Sequence, residues 1–139
     1  MKKYLLVLAV MLLVATGCGK SGKTLSCEKK ESDGTTEKVV AEFDKDNNAT
    51  AITMTMTMPF EEGVTKEEAE QTAGFVCAMV SFEGATCDTK VKDNALEVIF
   101  KFDLSKLSDE TKEEMGYSKE SATYDAMKKS METAGYTCK

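Results

Sequence analysis

The chain has 139 residues, a formal net charge of −6, and no histidine, arginine or tryptophan. Without histidine it lacks the commonest general base and the usual zinc ligand, and without arginine the bidentate clamp for phosphate or carboxylate. The acidic balance argues against nucleic acid and against a basic face laid on anionic lipid.

The first eighteen residues set the expectation for everything after them. Lys2 and Lys3 precede an uninterrupted apolar run, Tyr4 to Val14. As a helix that run would reach only about 17 Å, short of the ~30 Å bilayer core, so it reads as an export signal and not as a spanning segment. Small residues Ala15, Thr16 and Gly17 lead directly into Cys18. This resembles a bacterial lipobox, in which the cysteine is acylated and becomes the new amino terminus; Ala15 stands where a leucine is usual. The expected division is a signal peptide over 1–17, a lipidated Cys18 with a tether over 18–23, and one domain over 24–139. Two acyl chains give lasting attachment where one is marginal. The expected address is therefore the outer side of the cell membrane, or the outer membrane of a two-membrane cell. Gly19-Lys20-Ser21 looks like the end of a P-loop, but Val14 stands where its first glycine belongs.

Within the domain, Leu25 and Cys27 alternate with polar residues as a first strand, and Asp33-Gly34 makes a hairpin turn. The second strand runs near 37–43, with Val39, Ala41 and Phe43 on one face. Asp44, Asp46 and Asn48 imitate the start of a calcium loop, yet Ala49 and Thr55 stand where glycine and glutamate belong, so a polar turn is expected. Ile52-Thr53-Met54-Thr55-Met56-Thr57-Met58 is a period-two strand with methionines on one face and threonines on the other. Packing under a helix explains that spacing. Soft thioethers at Met54, Met56 and Met58 also make a candidate copper(I) or silver(I) site.

Thr65 and Glu68 form a capping box ahead of a helix. Its face carries Ala69, Ala73, Val76, Cys77 and Val80, with Phe75, Met79 and Phe82 expected to widen it before Gly84 ends it. Strands over 86–91 and 95–102 follow, joined by a turn at Asp93-Asn94. The second has apolar residues on both sides, which predicts an interior place in the sheet. Ser108 opens a short helix that stops at Gly116. A last helix begins around 118–121, turns Tyr124, Met127, Met131 and Ala134 inward and ends at Gly135. Residues 26–44 and 86–103 read alike, and Gly84-Ala85-Thr86-Cys87 mirrors Gly135-Tyr136-Thr137-Cys138, a weak two-fold internal repeat. The fold class expected is α+β, an antiparallel sheet of about five strands with helices packed on one face.

Four cysteines remain after Cys18, an even set that in an exported chain implies two disulfides. From Cys77 the helix climbs about 10 Å to Gly84 and an extended 85–87 can return as far, so Cys77–Cys87 closes without strain. Cys27–Cys138 is then the other pair; the rival is Cys27–Cys87 with Cys77–Cys138.

With the lipobox, strand pairs, capped helix and Gly135-Tyr136-Thr137-Cys138-Lys139 tail in view, the chain resembles the small YehR-like bacterial lipoproteins. The resemblance implies a similar layout over most of the mature domain and, since those proteins lack an assigned activity, no catalytic residue. The expected role is a non-enzymatic, membrane-anchored monomer that binds an unknown protein or small molecule, without cofactor. Soft-metal binding by the methionine strand is the alternative.

Overall fold

A computed structural model describes residues 22–92 and 94–139. The expected signal segment, lipid-attachment Cys18 and the first part of the tether lie outside the described residues, as does Asp93 of the expected turn. Among the described residues no helix is long and apolar enough to cross a membrane.

The elements run β1 (Thr24–Lys30), β2 (Thr36–Phe43), β3 (Ala49–Pro59), α1 (Lys66–Ala78), β4 (Ala85–Lys92), β5 (Ala95–Asp103), α2 (Asp109–Glu114), α3 (Tyr124–Thr133) and β6 (Thr137–Cys138). They form one sheet in the order β4-β5-β3-β2-β1-β6, with every pairing antiparallel. The expected α+β architecture is present, with a sixth strand that the sequence pattern conceals. Two residues, Thr137 and Cys138, are too few to display a period of two. Their register against Cys27 and Glu28 makes them a strand.

Antiparallel partners share a sheet face, so the registers sort the side chains. Leu25 and Cys27, Val39 and Ala41, Ile52 to Met58 in steps of two, Leu96 to Phe102 in steps of two, and Cys87 with Val91 all point one way. The opposite face carries Thr53, Thr55, Thr57, Glu97, Ile99 and Lys101 and receives none of the described helices. β5 is interior as expected, lying between β3 and β4. Its position is interior only within the sheet, however, and Ile99 is half-buried on the uncovered face.

Local chemistry explains the element ends. Glu31 accepts from Gly34 at 3.1 Å and Asp33 from the Thr35 amide at 2.8 Å, with Gly34 at φ +89°, closing the β1–β2 hairpin. The Asp44 carboxylate accepts from the backbone amides of Asp46 and Asn48, both at 2.9 Å, so the 44–48 segment is a self-bonded turn. Thr65 and Glu68 exchange both hydrogen bonds of the capping box at the head of α1.

Four local expectations are corrected. α1 ends at Ala78, with Met79 as its C-cap, and does not run on to Gly84. Gly84 instead opens β4 at φ +88°, where a Cβ would lie 3.0 Å from the Asp103 carbonyl. Phe75 and Met79 do not widen the buried face of α1; they are 68% and 65% exposed, because both lie away from the Ala69–Ala73 line that meets the sheet. Only Phe82 joins the packing, stacked on Phe102 at 6.3 Å. The last helix starts at Tyr124, since Ser118 and Ser121 hydrogen-bond each other's amides in a tight turn and so compete with helix. Ala134 is exposed.

The core divides in two. The larger part holds Leu25, Cys27, Ala41, Phe43, Leu104 and Leu107 among its buried residues, with Tyr124, Met127 and Met131 of α3 packed against it. The smaller holds Ala73, Leu96 and Val98, flanked by Val76, Met58 and Phe100. Disulfides join Cys27 to Cys138 and Cys77 to Cys87, so each helix-associated segment is tied to the strand beneath it. The two hairpins, β1–β2 and β4–β5, flank β3 on either side.

Candidate functional site

β3 is the seam between the two cores. α1 packs chiefly on β4 and β5, and α3 on β1 and β6, so the helices stand over opposite margins of one sheet face. Ile52 belongs to the α3 side and Met58 to the α1 side; Met54 and Met56 belong to neither. All three methionines are half-buried. Met54 lies between Val39 and Phe100, Met56 between Glu37 and Val98, and Met58 beside Leu96. Side chains two apart on a strand are separated by about 7 Å at the backbone, within reach of one another's flexible thioethers.

A cleft of about 280 Å³ opens on the α3 side of that seam. Ile52 is its floor, Leu104 and Leu107 one wall, Met127 and Met131 of α3 the other, and Met115 after α2 its rim. Among the described residues no charged side chain lines it; the polar groups there are the phenol of Tyr117 and the hydroxyls of Ser121 and Ser130. The six-residue α2 precedes it in the chain, and the hydrogen-bonded serine turn at 118–121 joins that segment to α3. Methionines suit such a lining, since their unbranched side chains repack around different occupants.

A wider, polar cleft of about 710 Å³ adjoins it and shares Leu104, Tyr117 and Ala122 as a common wall. Asn48, Thr50, Ser105 and Ser118 line it, together with Asp109, Lys112, Glu113 and Lys119. Lys112 pairs with Asp109 at 3.6 Å. Tyr117 donates its hydroxyl to the Ala49 carbonyl at 3.2 Å, which fixes the ring where the two clefts adjoin. Burial, and then the nearby Asp44 charge, push that phenol above its ordinary range.

Beyond the methionines lies a second tyrosine. Tyr136 donates to the Glu37 carboxylate, and Lys29 stands 5.7 Å from its ring centre while pairing with Glu31 at 2.6 Å. The hydrogen bond to Glu37, reinforced by burial and the carboxylate's charge, pushes the Tyr136 phenol up to about 12. The Lys29 ammonium is also raised, chiefly by its hydrogen bond to Glu31. With the phenol so firmly protonated, this group is an anchor for the tail strand and not a proton donor at neutral pH.

Sequence reasoning singled out Met54, Met56 and Met58, and these do line up on the helix-bearing face. It treated Met127 and Met131 as core and passed over Met115, Leu104, Leu107 and Tyr117. Nothing in local spacing marks these last four; only the folded chain brings them into one lining. Among the described residues no cluster of histidine, cysteine, aspartate or glutamate has metal-holding geometry.

These features define a class: a one-sided α+β domain, clamped by a disulfide at each margin, with an open apolar cleft between its helices. The fold alone is similar to that of the NMR structure of the Escherichia coli YehR protein, at a TM-score of 0.68 and 17% identity, over 86% of this chain and 92% of that one. At that identity the likeness shows the fold, and the YehR-like layout implied by the tail and strand pattern is shown to that extent. No family model and no curated protein matches the chain.

Proposed function

We propose that this protein is an exported, lipid-anchored binding module, held to the membrane through Cys18, that takes a small apolar ligand between α2 and α3 and performs no chemistry on it. The observation that carries the binding reading is the 280 Å³ cleft, lined by Ile52, Leu104, Leu107 and three methionines and by no charged group. Concave, largely apolar sites with a few polar groups are the usual form of small-molecule sites. Acid–base catalysis needs titratable groups within hydrogen-bond reach of the reacting atoms, and this lining offers only one buttressed phenol and two serines. Export is supported by the signal-like start and by two disulfides, which persist in oxidising compartments.

The binding reading is tested by NMR of methyl-labelled methionines in the full chain carrying Cys18→Ala, titrated with toluene. Met115, Met127 and Met131 are expected to shift together and saturate, and Ser130→Leu, which fills the cleft, to abolish the response. Unmoved methyl signals overturn it. The anchor is tested in bacteria fed labelled palmitate: the wild-type chain should take up label and Cys18→Ala should not. Unlabelled wild-type chain removes the anchor.

A second reading is favoured by one observation, that Met54 and Met56 remain half-buried and outside both cores. Adjacent thioethers on a strand would serve a soft monovalent metal. Anaerobic copper(I) titration of the wild type against Met54→Leu/Met56→Leu decides it; absence of a difference between the two ends this reading.

A further inference from the structure

We infer that the ligand class of this cleft is a single-chain amphiphile, with its acyl tail under α3 and an uncharged or zwitterionic head in the adjoining polar cleft. This rests on the binding reading above and adds the chemistry of the ligand to it.

Three observations converge. The apolar cleft and the polar cleft meet at a common wall of Leu104, Tyr117 and Ala122, so a molecule with an apolar and a polar end can occupy both. The apolar part is small, about 280 Å³, and none of the described charged side chains lines it, which suits a single alkyl chain. The polar part sets two lysines, Lys112 and Lys119, against two carboxylates, Asp109 and Glu113, and so has no surplus positive charge. A carboxylate head would meet those acids on a chain already at −6. Hydroxyl-bearing or zwitterionic heads instead find Asn48, Thr50, Ser105 and Ser118 as hydrogen-bond partners. Tyr117 suits the junction: its ring faces the tail while its hydroxyl is committed to the Ala49 carbonyl.

The test uses the full chain carrying Cys18→Ala, so that no acyl chain of its own competes, with methyl-labelled methionine as the reporter. Four probes are titrated below their aggregation limits: monodecanoylglycerol, decanoate, glycerol and toluene. Monodecanoylglycerol is expected to shift Met115, Met127 and Met131 saturably, and decanoate to bind about tenfold more weakly because Asp109 and Glu113 offset the two lysines of the head cleft. Glycerol should leave the methyls unmoved. Glu113→Gln, which removes one of the opposing carboxylates, should narrow the gap between decanoate and monodecanoylglycerol. Decanoate binding as tightly as monodecanoylglycerol overturns the head assignment. Toluene shifting the methyls while monodecanoylglycerol does not overturns the amphiphile and leaves the apolar cleft standing. If neither moves them, both the ligand class and the binding reading fall.

Discussion

The two margins of the sheet solve the same problem in different ways. At the α1 margin a helix is docked by two alanines, Ala69 and Ala73, over Leu96 and Val98, and a disulfide between residues only ten apart holds it there. At the α3 margin the docked segment comes from the far end of the chain, and Cys27–Cys138 closes a separation of 111 residues. Small side chains let α1 sit close to its strands, which leaves Phe75 and Met79 outside. The larger side chains of α3 hold it over a deeper core, and the space between α3 and short α2 becomes the cleft. Alanines face the sheet at one margin, whereas at the other the bulkier Met127 and Met131 of α3 line a cleft.

The sharpest way to break this comparison is through the disulfides. Chain-entropy arguments give about 5 kcal/mol for the long Cys27–Cys138 loop and about 3 for Cys77–Cys87. Urea unfolding of Cys27→Ser/Cys138→Ser and Cys77→Ser/Cys87→Ser should rank in that order. Equal losses would mean that native contacts, not loop length, set the strength of each clamp.

Core truncation comes next. Leu25→Ala removes a side chain 2% exposed beneath α3 and should lose about 3 kcal/mol. Phe75→Ala, on the outward side of α1, should stay within about 0.5 kcal/mol of wild type. A large loss at Phe75 would show that the exposed side of α1 packs against something in solution.

Smaller still is Tyr136→Phe, which removes the hydrogen bond to Glu37 and should lose about 1 kcal/mol, because the pair is partly solvated. The pH dependence identifies the cause. The folded phenol titrates near 12 against an ordinary value of 10.0, so the fold holds that proton more tightly than the unfolded chain does. Its contribution is complete below pH 10 and lost as pH rises toward 12. Wild-type stability should fall across that window more steeply than that of Tyr136→Phe; parallel curves would exclude the Glu37 contact as the source.

Among the variants expected to lose stability, the smallest loss is at the α1 cap, where Thr65→Ala should lose about 1 kcal/mol or less, since Glu68 can still receive the Thr65 amide. Its carboxyl is held below the usual range chiefly by that backbone bond, so the cap's contribution is present at neutral pH and disappears in acid. A loss as large as that of Leu25→Ala would show that α1 depends on its cap more than on its alanine seam.

Much of this molecule follows from neighbouring residues alone. Strand alternation at Val39-Ala41-Phe43 and Ile52 to Met58, the Asp33-Gly34 turn and the Thr65–Glu68 box are all local: each depends on contacts within a few residues, and a linear pattern records such contacts. Where a nearer hydrogen-bond partner competed, the pattern misled, as at Ser118 and Ser121, which close on each other and delay α3. Where an element was too short to show a period, as at Thr137–Cys138, it was silent.

The sheet order and the cleft have a different origin. β5 inserts next to β3, and the residues after α2 come to line one cleft with α3, so that Met115 and Tyr117 share it with Met127 and Met131. Those neighbours are distant in sequence, and no spacing rule links them. Period and turn chemistry are written in the order of the residues, because they depend on backbone geometry over one or two turns. Which faces meet, and what space they leave between them, depends on side-chain volumes contributed by separate elements, and that sum exists only once the chain has folded.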